Sequence, residues 1–306
     1  MRYYRFKTFV TSYYFPKVQK GEEFLYGLYS PYRGKLSRLC WSLFKKVSLV
    51  RYLSSVKEEN LPFPYQTIKD ILGKDAVLSF NMGSPGVEQK ISILGYDKRK
   101  HSPFFAKFSQ KDAAKKLTRN EVRVYQLLGN TELTPKLLDY KICDDYACLK
   151  AEFIKGTRPK NKEMNGEILK LCLKLKDYSL SDTSTGGNEL LHCLSHGDFC
   201  PWNVLEYKNQ MKLIDWELAD ERPLGFDLFT WITQVYILFY PSKDLIESVE
   251  ENKAYIEEYF KEFQIENYLP YLKAFAKEKS IYEEGKGNHD RALKFDKLYA
   301  SSTTVL

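Results

Sequence analysis

The sequence has no long apolar run. Its longest apolar stretch, Phe226 to Tyr240, is interrupted by polar residues, whereas a helix that spans a membrane needs about 20 apolar residues. No apolar segment of the kind found in secretory signal peptides follows Met1. We therefore expect a cytoplasmic protein without a membrane span.

The sequence is not enriched in cysteine, proline or glycine, with 6, 12 and 16 of these residues among 306. This composition excludes collagen-like chains, disulfide scaffolds and wholly disordered chains. The cysteines follow no paired spacing, which favours reduced thiols in a cytosol. Internal repeats and low-complexity tracts are also missing from the sequence. The length therefore indicates two domains or one two-lobed unit.

Positive charge is unevenly distributed along the chain, whose formal net charge is +7. Residues 1–57 contain 12 Lys or Arg and only two acids, Glu22 and Glu23, which gives this segment a charge of +10. The remainder has 35 Lys or Arg against 38 acids, a charge of −3. Because the segment is also interleaved with aromatic residues, we interpret residues 1–57 as a basic, aromatic-rich N-terminal extension.

An amphipathic helix is predicted in this extension, from Leu36 to Arg51. Its basic residues fall largely on the face opposite an apolar stripe. Two partners are open for that stripe: the body of the protein, or an anionic membrane surface contacted by residues 36–53 on the inner face of the membrane. Nucleic acid is a third option that no motif supports, and we do not expect it. The apolar stripe consists of Leu36, Leu39, Cys40, Leu43, Phe44, Val47 and Val50.

Between residues 58 and 153 the pattern predicts an antiparallel five-stranded sheet and one helix, Asn120 to Leu128. A turn rich in glycine, Asn81 to Gly86, separates the first two strands. From Lys162 onward helical spacing dominates, so the fold class is α+β. The predicted helices are Gly166 to Leu180, Leu190 to Leu194, Leu224 to Tyr240, Lys243 to Phe263 and Tyr268 to Lys279. Five runs read as strands: 76–80, 89–94, 103–108, 137–140 and 147–154.

The stretch from His196 to Glu217 carries the chemistry. It contains His-Gly-Asp, then Asn203 five residues after Asp198, then a predicted hairpin that ends in Ile-Asp-Trp-Glu with Asp215. This arrangement brings two carboxylates and an amide oxygen to the open end of the hairpin. Phosphoryl transfer needs such groups, since a carboxylate orients the attacking hydroxyl and oxygen ligands hold Mg²⁺ on the nucleotide phosphates.

The same motif resembles the aminoglycoside phosphotransferase and choline kinase superfamily of protein-kinase-like enzymes. The resemblance implies a two-lobed kinase-like fold, with ATP and Mg²⁺ as cofactors. It implies a nucleotide-binding lobe over residues 58–153 and a catalytic and substrate lobe over 154–306. By the same resemblance the site residues are Asp198 as catalytic base, Asn203 and Asp215 as metal ligands with Glu217 beside them, and His196 and Asp227 as structural members of the catalytic loop.

The resemblance extends to residues before this motif. Lys107 in Phe-Ala-Lys-Phe resembles the strand lysine that contacts the α- and β-phosphates, and Glu121 resembles its ion-pair partner. Gly83 and Gly86 lie where a phosphate-covering loop is expected, although the Gly-x-Gly-x-x-Gly pattern of protein kinases is missing. The segment from Glu152 through Phe153 to Ile154 would be the hinge whose backbone meets adenine.

Other interpretations of this sequence stay open. His192, Cys193, His196 and Cys200 are zinc-ligand types within nine residues, but their spacing matches no usual zinc pattern. The acceptor hydroxyl could belong to a surface-glycan or lipid-linked sugar precursor, which the basic extension favours slightly, to an aminoglycoside, or to choline or ethanolamine. A catalytically silent kinase-like scaffold is the alternative from a different class.

Overall fold

A computed structural model of the chain describes residues 2–29, 35–129, 131–178 and 190–304. The described residues divide into two compact units. The first takes in Met1–Asn130 and Pro135–Ile154, and the second takes in Thr131–Thr134 and Lys155–Leu306. A large antiparallel sheet dominates the first unit and helices dominate the second, which confirms the α+β class.

The sheet of the first unit has eight strands in the order β3-β1-β2-β4-β5-β6-β8-β7. All its neighbouring strands are antiparallel. The predicted number of five strands is wrong, because three strands from the first 57 residues extend one edge of the sheet. The eight strands are β1 (Arg2–Lys7), β2 (Ser12–Pro16), β3 (Ser55–Lys57), β4 (Val77–Asn81), β5 (Ile91–Asp97), β6 (Ser102–Ser109), β7 (Leu137–Ile142) and β8 (Ala147–Glu152).

The added strands are held by pairing and by aromatic packing. Tyr14 on β2 pairs with Phe80 on β4, which joins the N-terminal hairpin to the predicted sheet. Tyr3 is buried against the ring of Phe80 at a centroid distance of 5.7 Å. Residues 1–57 therefore share a sheet with the following segment. The domain boundary predicted at residue 58 stays a prediction.

Four helices accompany this sheet, and its core lies between the sheet and helix α3. Ile68 of α3 is buried with Leu78, Ile93 and Phe108 in one apolar cluster. The two N-terminal helices replace the single predicted one, because Val47 has an extended backbone between them. The helices are α1 (Lys35–Lys46), α2 (Ser48–Leu53), α3 (Tyr65–Leu72) and α4 (Asp112–Leu127).

The second unit is mainly helical and has two short antiparallel strand pairs. The helix predicted over Leu190 to Leu194 is wrong, because His192–Ser195 pairs as β9 with β12. The helix predicted to reach Leu180 ends at Leu173, and residues 179–180 lie outside the described residues. Its elements are α5 (Gly166–Leu173), β9 (His192–Ser195), β10 (Val204–Tyr207), β11 (Gln210–Leu213), β12 (Asp220–Pro223), α6 (Phe226–Phe239), α7 (Leu245–Glu251), α8 (Lys253–Lys261), α9 (Leu269–Gly285) and α10 (His289–Thr304).

Helix α6 lies at the centre of the second unit and positions the residues described below. Its first eleven residues, from Phe226 to Tyr236, are all buried. Phe229 packs on Phe260 and Phe275, which belong to α8 and α9. Within the described ranges, no helix is both long enough and apolar enough to cross a membrane.

Candidate active site

The loop after β9 carries the His-Gly-Asp sequence. β9 ends at Ser195, and Gly197 has a positive φ of +81°. A side chain at residue 197 would overlap the carbonyl of Leu218, so both the left-handed backbone and the lack of space require glycine. The backbone is therefore closely fixed immediately before Asp198.

The buried carboxylate of Asp227, at the start of α6, braces this loop. Its Oδ1 accepts hydrogen bonds from the Ser195 hydroxyl at 2.8 Å and the Gly197 N–H at 3.1 Å. Its Oδ2 accepts one from the His196 N–H at 2.7 Å. Hydrogen bonds to an ionised acceptor are stronger than neutral ones. The sequence pattern points to Asp227 but not to Ser195, whose only signal is its position directly before the motif.

The ring of His196 connects the loop to the strand that ends before Asp215. Nε2 lies 2.9 Å from the carbonyl oxygen of Ile214, and Nδ1 accepts the Asp198 N–H at 3.3 Å. A carbonyl can only accept, so the proton is on Nε2 and the ring is neutral. The ring also packs on Trp216 at 4.6 Å. His196 therefore holds the two halves of the motif together.

Asp198 and Asn203, which the motif predicts to act together, are in direct contact. Asn203 Nδ2 donates to the Asp198 carboxylate Oδ2 and to its backbone carbonyl, both at 2.9 Å. The Asn203 N–H also donates to the Cys200 carbonyl at 2.8 Å, which closes a short turn over residues 201–203. Because the amide nitrogen faces Asp198, the amide oxygen is the atom that can ligate a cation.

Asp215 and Glu217 lie beyond the hairpin of β10 and β11. Asp215 has a left-handed backbone, with φ of 70° and ψ of 54°, a conformation that is uncommon outside glycine and clusters at functional sites. One carboxylate oxygen of each residue lies within 4.8 Å of the other. Burial, then the Asp198 carboxylate, and more weakly Asp215, raise the pKa of the Cys200 thiol.

These residues fit a hard divalent cation. Asn203, Asp215 and Glu217 offer only oxygen atoms, and Mg²⁺ prefers oxygen ligands with few protein carboxylates. The chemistry of the donor set therefore agrees with the predicted metal ligands.

The zinc alternative finds no support among the described residues. His192, Cys193, His196 and Cys200 do not form a group of metal ligands. Burial raises the pKa of Cys193 to about 12, and the Cys200 thiol donates to the Asp198 carbonyl at 3.1 Å.

A buried lysine from α9 reaches the same loop. Lys279 Nζ donates to the Gly197 carbonyl at 3.2 Å, and the residue is 6% exposed. Burial lowers the pKa of Lys279, and the Asp198 carboxylate acts in the opposite direction. No sequence signal marks Lys279, because it lies 82 residues from Gly197 in the chain. Only the packing of α9 against the loop shows it.

Replacing Lys279 by methionine tests the cost of this buried charge. The pKa of Lys279 in the folded chain lies below its ordinary value of 10.5, so between these two pKa values the unfolded chain binds more protons. The free energy of unfolding of the wild type should therefore rise, relative to Lys279→Met, as the pH increases through that window. Urea unfolding at about pH 7 and about pH 10 measures the difference. If the unfolding free energies of the wild type and Lys279→Met differ by the same amount at both pH values, the pKa of Lys279 is not lowered in the folded chain.

In the first unit, Lys107 on β6 and Glu121 on α4 form a buried ion pair. Lys107 Nζ lies 2.6 Å from Glu121 Oε2, and the two side chains are 9% and 1% exposed. Burying two charges is costly unless they are paired closely, which this distance achieves. The structure thus brings together the two residues that the sequence pairs on weak individual evidence.

The other predicted site residues of this unit lie in the turn after β4 and at the end of β8. Gly83 has a φ of +66°, and a side chain there would overlap the Lys90 carbonyl. The carbonyl of Gly86 accepts from Lys111 Nζ at 2.6 Å, which ties the turn to the start of α4. Glu152 ends β8, and Phe153 packs on the cluster around Leu25.

Solved structures of three kinases or phosphotransferases resemble this chain. A Plasmodium vivax ethanolamine kinase has a TM-score of 0.52 at 13% identity and covers 94% of this chain and 95% of that chain. An amicoumacin kinase in complex with AMP-PNP, Ca²⁺ and Ami has a TM-score of 0.45 at 13% identity, covering 70% and 85%. An aminoglycoside-3'-phosphotransferase of type VIII has a TM-score of 0.35 at 15% identity, covering 47% and 73%. No family model matches the sequence, and no curated protein matches it.

The likeness to the ethanolamine kinase covers nearly the whole of both chains and establishes the fold. This chain therefore has a two-lobed, kinase-like α+β fold similar to that of the ethanolamine kinase. The fold expected from the His-Gly-Asp and Ile-Asp-Trp-Glu motifs is confirmed, with eight strands in place of five.

Proposed function

We propose that the protein is an ATP- and Mg²⁺-dependent phosphotransferase that phosphorylates a hydroxyl group of a small molecule or sugar. The observation that carries the proposal is the Asp198 carboxylate, held by the Asn203 amide at 2.9 Å in a loop that Asp227 braces. A reacting carboxylate must be oriented before the substrate arrives, because positioning supplies much of the rate in phosphoryl transfer.

Asp198 acts as the base in this proposal. Its Oδ2 accepts from Asn203, so Oδ1 is the oxygen that accepts the proton of the attacking hydroxyl. The oxygen of that hydroxyl attacks the γ-phosphorus of ATP, the bond to the bridging oxygen breaks, and ADP leaves. Asp198 then holds the proton at Oδ1 until it passes to solvent.

Two sets of residues provide positive charge at the phosphates, one by holding a cation and the other through a lysine. Asn203, Asp215 and Glu217 would hold Mg²⁺, which when bound neutralises phosphate charge. Lys107, oriented by Glu121, contacts the α- and β-phosphates, with the turn of Gly83 and Gly86 covering the phosphates. The backbone of Glu152 and Phe153 meets adenine. These roles rest on the resemblance and on the contacts described above.

A cavity of about 320 Å³ in the second unit bears on the acceptor. It is lined by aromatic and acidic side chains that a quaternary ammonium would need. Lys243 already occupies that environment, since its Nζ lies 5.3 and 5.6 Å from the ring centroids of Tyr236 and Tyr240 and 2.6 Å from Glu251. A cationic acceptor group would meet the Lys243 ammonium there, which argues against choline, ethanolamine or an aminoglycoside in this cavity and leaves a sugar hydroxyl, as in a surface-glycan or lipid-linked sugar precursor, as the proposed acceptor.

A cytoplasmic location belongs to the same proposal. The six cysteines are free thiols, as expected in a reducing compartment that also supplies ATP.

Transfer of label from ATP with a radioactive γ-phosphate tests the proposal. The acceptors are pools of aminoglycosides, amino alcohols, sugars and a membrane-lipid extract, each with Mg²⁺ and with Asp198→Asn as the control. Label that appears in one pool and is lost with Asp198→Asn supports the proposal. ATP binding without transfer to any pool favours the catalytically silent scaffold, against which the presence of Lys107, Asp198, Asn203 and Asp215 argues.

Replacing Lys107 by methionine should lower both stability and transfer. The change leaves the Glu121 carboxylate buried without its nearest cation, which should cost about 3 kcal/mol of unfolding free energy. The double variant Lys107→Met/Glu121→Leu removes both charges and should recover most of that stability, yet transfer should stay low because the phosphate contact is lost. Urea unfolding and the transfer assay separate the two effects. Full transfer by the double variant refutes the role of Lys107.

A further inference from the structure

Helix α1 packs against the sheet by an aromatic face. Trp41 and Phe44 are 5% and 2% exposed and belong to a buried cluster with Phe15. The ring of Phe6 on β1 lies 5.0 Å from Trp41 and 5.1 Å from Phe44. The helix is thus fixed to the first unit by two residues, of which only Phe44 belongs to the apolar stripe that the sequence pattern defines.

Leu39 and Leu43 of the stripe point away from the sheet. At 100° per residue, the mean direction of Leu39 and Leu43 lies about 150° around the helix from the mean direction of Trp41 and Phe44. They are 57% and 46% exposed. Further exposed aliphatic residues continue along α2, and we call the whole set the outer apolar face. It consists of Leu39, Leu43, Val47, Val50 and Leu53.

Exposed basic side chains lie on the same helices as the outer apolar face. Four of these basic residues lie on α1. Residues 24–57 contain no Asp or Glu. Arg51 Nη1 donates to the carbonyls of Phe44 and Lys45 at the end of α1, which fixes α2 to α1 and places a positive charge at a helix C-terminus. The four basic residues of α1 are Lys35, Arg38, Lys45 and Lys46.

We infer that α1 and α2 bind the surface of an anionic lipid membrane through the outer apolar face. Charge complementarity with a segment of charge +10 selects an anionic partner. Exposed leucine and valine between lysines and arginines is the composition of helices that lie in the membrane interface. With 12 and 6 residues, the helices are far too short to span a bilayer, so they lie along its surface.

Nucleic acid fits the same surface less well. Binding of single strands depends on aromatic side chains that are free to stack on bases. The aromatic residues of α1, β1 and β2 instead pack on one another, as Trp41 does on Phe15 and Phe44. On α2 Tyr52 is exposed, but the five residues of the outer apolar face are all aliphatic, which favours lipid.

Sedimentation of the full chain with vesicles tests this inference independently of any phosphotransferase activity. Vesicles of phosphatidylcholine alone are compared with vesicles that contain about 30% phosphatidylserine, at low and high salt. We expect binding to the anionic vesicles, at least about tenfold weaker binding to the neutral ones, and a similar loss at high salt. Failure of the full chain to bind anionic vesicles at low salt would overturn the inference.

Two variants locate the binding surface. Leu39→Ser/Leu43→Ser removes exposed apolar contacts, and Arg38→Gln/Lys46→Gln removes exposed charge, while Trp41 and Phe44 stay in place. Each should weaken binding to anionic vesicles about tenfold or more. The matched controls change exposed residues of the second unit and should leave binding unaltered. These controls are Ile281→Ser/Leu293→Ser and Lys277→Gln/Lys297→Gln.

The outcomes are distinct. Because all the altered side chains are exposed, melting temperatures should stay close to that of the wild type, so lost binding reflects the surface and not the fold. Binding that both N-terminal variants retain overturns the inference. Equal binding to neutral and anionic vesicles contradicts the role of charge. Binding to single-stranded oligonucleotides that both N-terminal variants lose, without binding to anionic vesicles, would assign the surface to nucleic acid instead.

Discussion

Asp198→Asn should lower the turnover number for phosphate transfer about a thousandfold, because a positioned general base contributes roughly 10²- to 10⁴-fold. The asparagine can still accept the Asn203 amide through its carbonyl oxygen, so the loop keeps its geometry. What is lost is the negative charge and the capacity to take up a proton at Oδ1. The KM for ATP should change less than about threefold, since the phosphates are contacted by other residues.

Steady-state kinetics with the acceptor found in the transfer assay measures both quantities. The matched control is Asp177→Asn, an exposed aspartate of the same unit, and we expect wild-type kinetics from it. A turnover number within tenfold of the wild type for Asp198→Asn would show that Asp198 is not the base. A rise in KM with an unchanged turnover number would make Asp198 a binding residue instead.

The proximity of the proposed site residues could be predicted from sequence because these residues are local in the chain. Asp198, Asn203 and Asp215 lie within eighteen residues, and a single hairpin brings them together. Ser195 and Lys279 could not be found in this way. Ser195 donates to the Asp227 carboxylate and accepts from the Gly197 N–H, and Lys279, from a helix that is distant in the chain, donates to the Gly197 carbonyl. Contacts of this kind depend on tertiary packing, which no local pattern encodes.

The N-terminal residues show a different reason for failure. In β1 and β2 nearly every position is aromatic or basic, so the alternation that marks a strand is masked. In α1 the stripe drawn by spacing includes Leu39 and Leu43, whereas the helix docks through Trp41 and Phe44. Periodicity assumes that the most apolar face is the buried one. Here large aromatic side chains determine the packing, and the aliphatic face is left outside.

The brace at Asp227 leads to the largest expected effect on stability. In Asp227→Asn, one carboxylate oxygen becomes an NH₂ group. With the amide oxygen facing Ser195 and Gly197, that NH₂ group opposes the His196 N–H, donor against donor. A buried hydrogen bond to a charged group contributes about 1.5 to 3 kcal/mol, and a buried donor left unsatisfied costs about 1 to 3 kcal/mol. We expect Asp227→Asn to lose about 5 kcal/mol of unfolding free energy.

Urea unfolding followed by tryptophan fluorescence measures this loss, since three of the four tryptophans, Trp202, Trp216 and Trp231, lie in the second unit. Ser195→Ala should lose only about 1 kcal/mol, because the Gly197 N–H still occupies Asp227 Oδ1. Asp177→Asn should stay within about 0.5 kcal/mol of the wild type. The graded order is the critical result. Equal losses for Asp227→Asn and Ser195→Ala would mean that the backbone N–H groups of His196 and Gly197 do not depend on the carboxylate, and that the loop is held by its glycine turn alone.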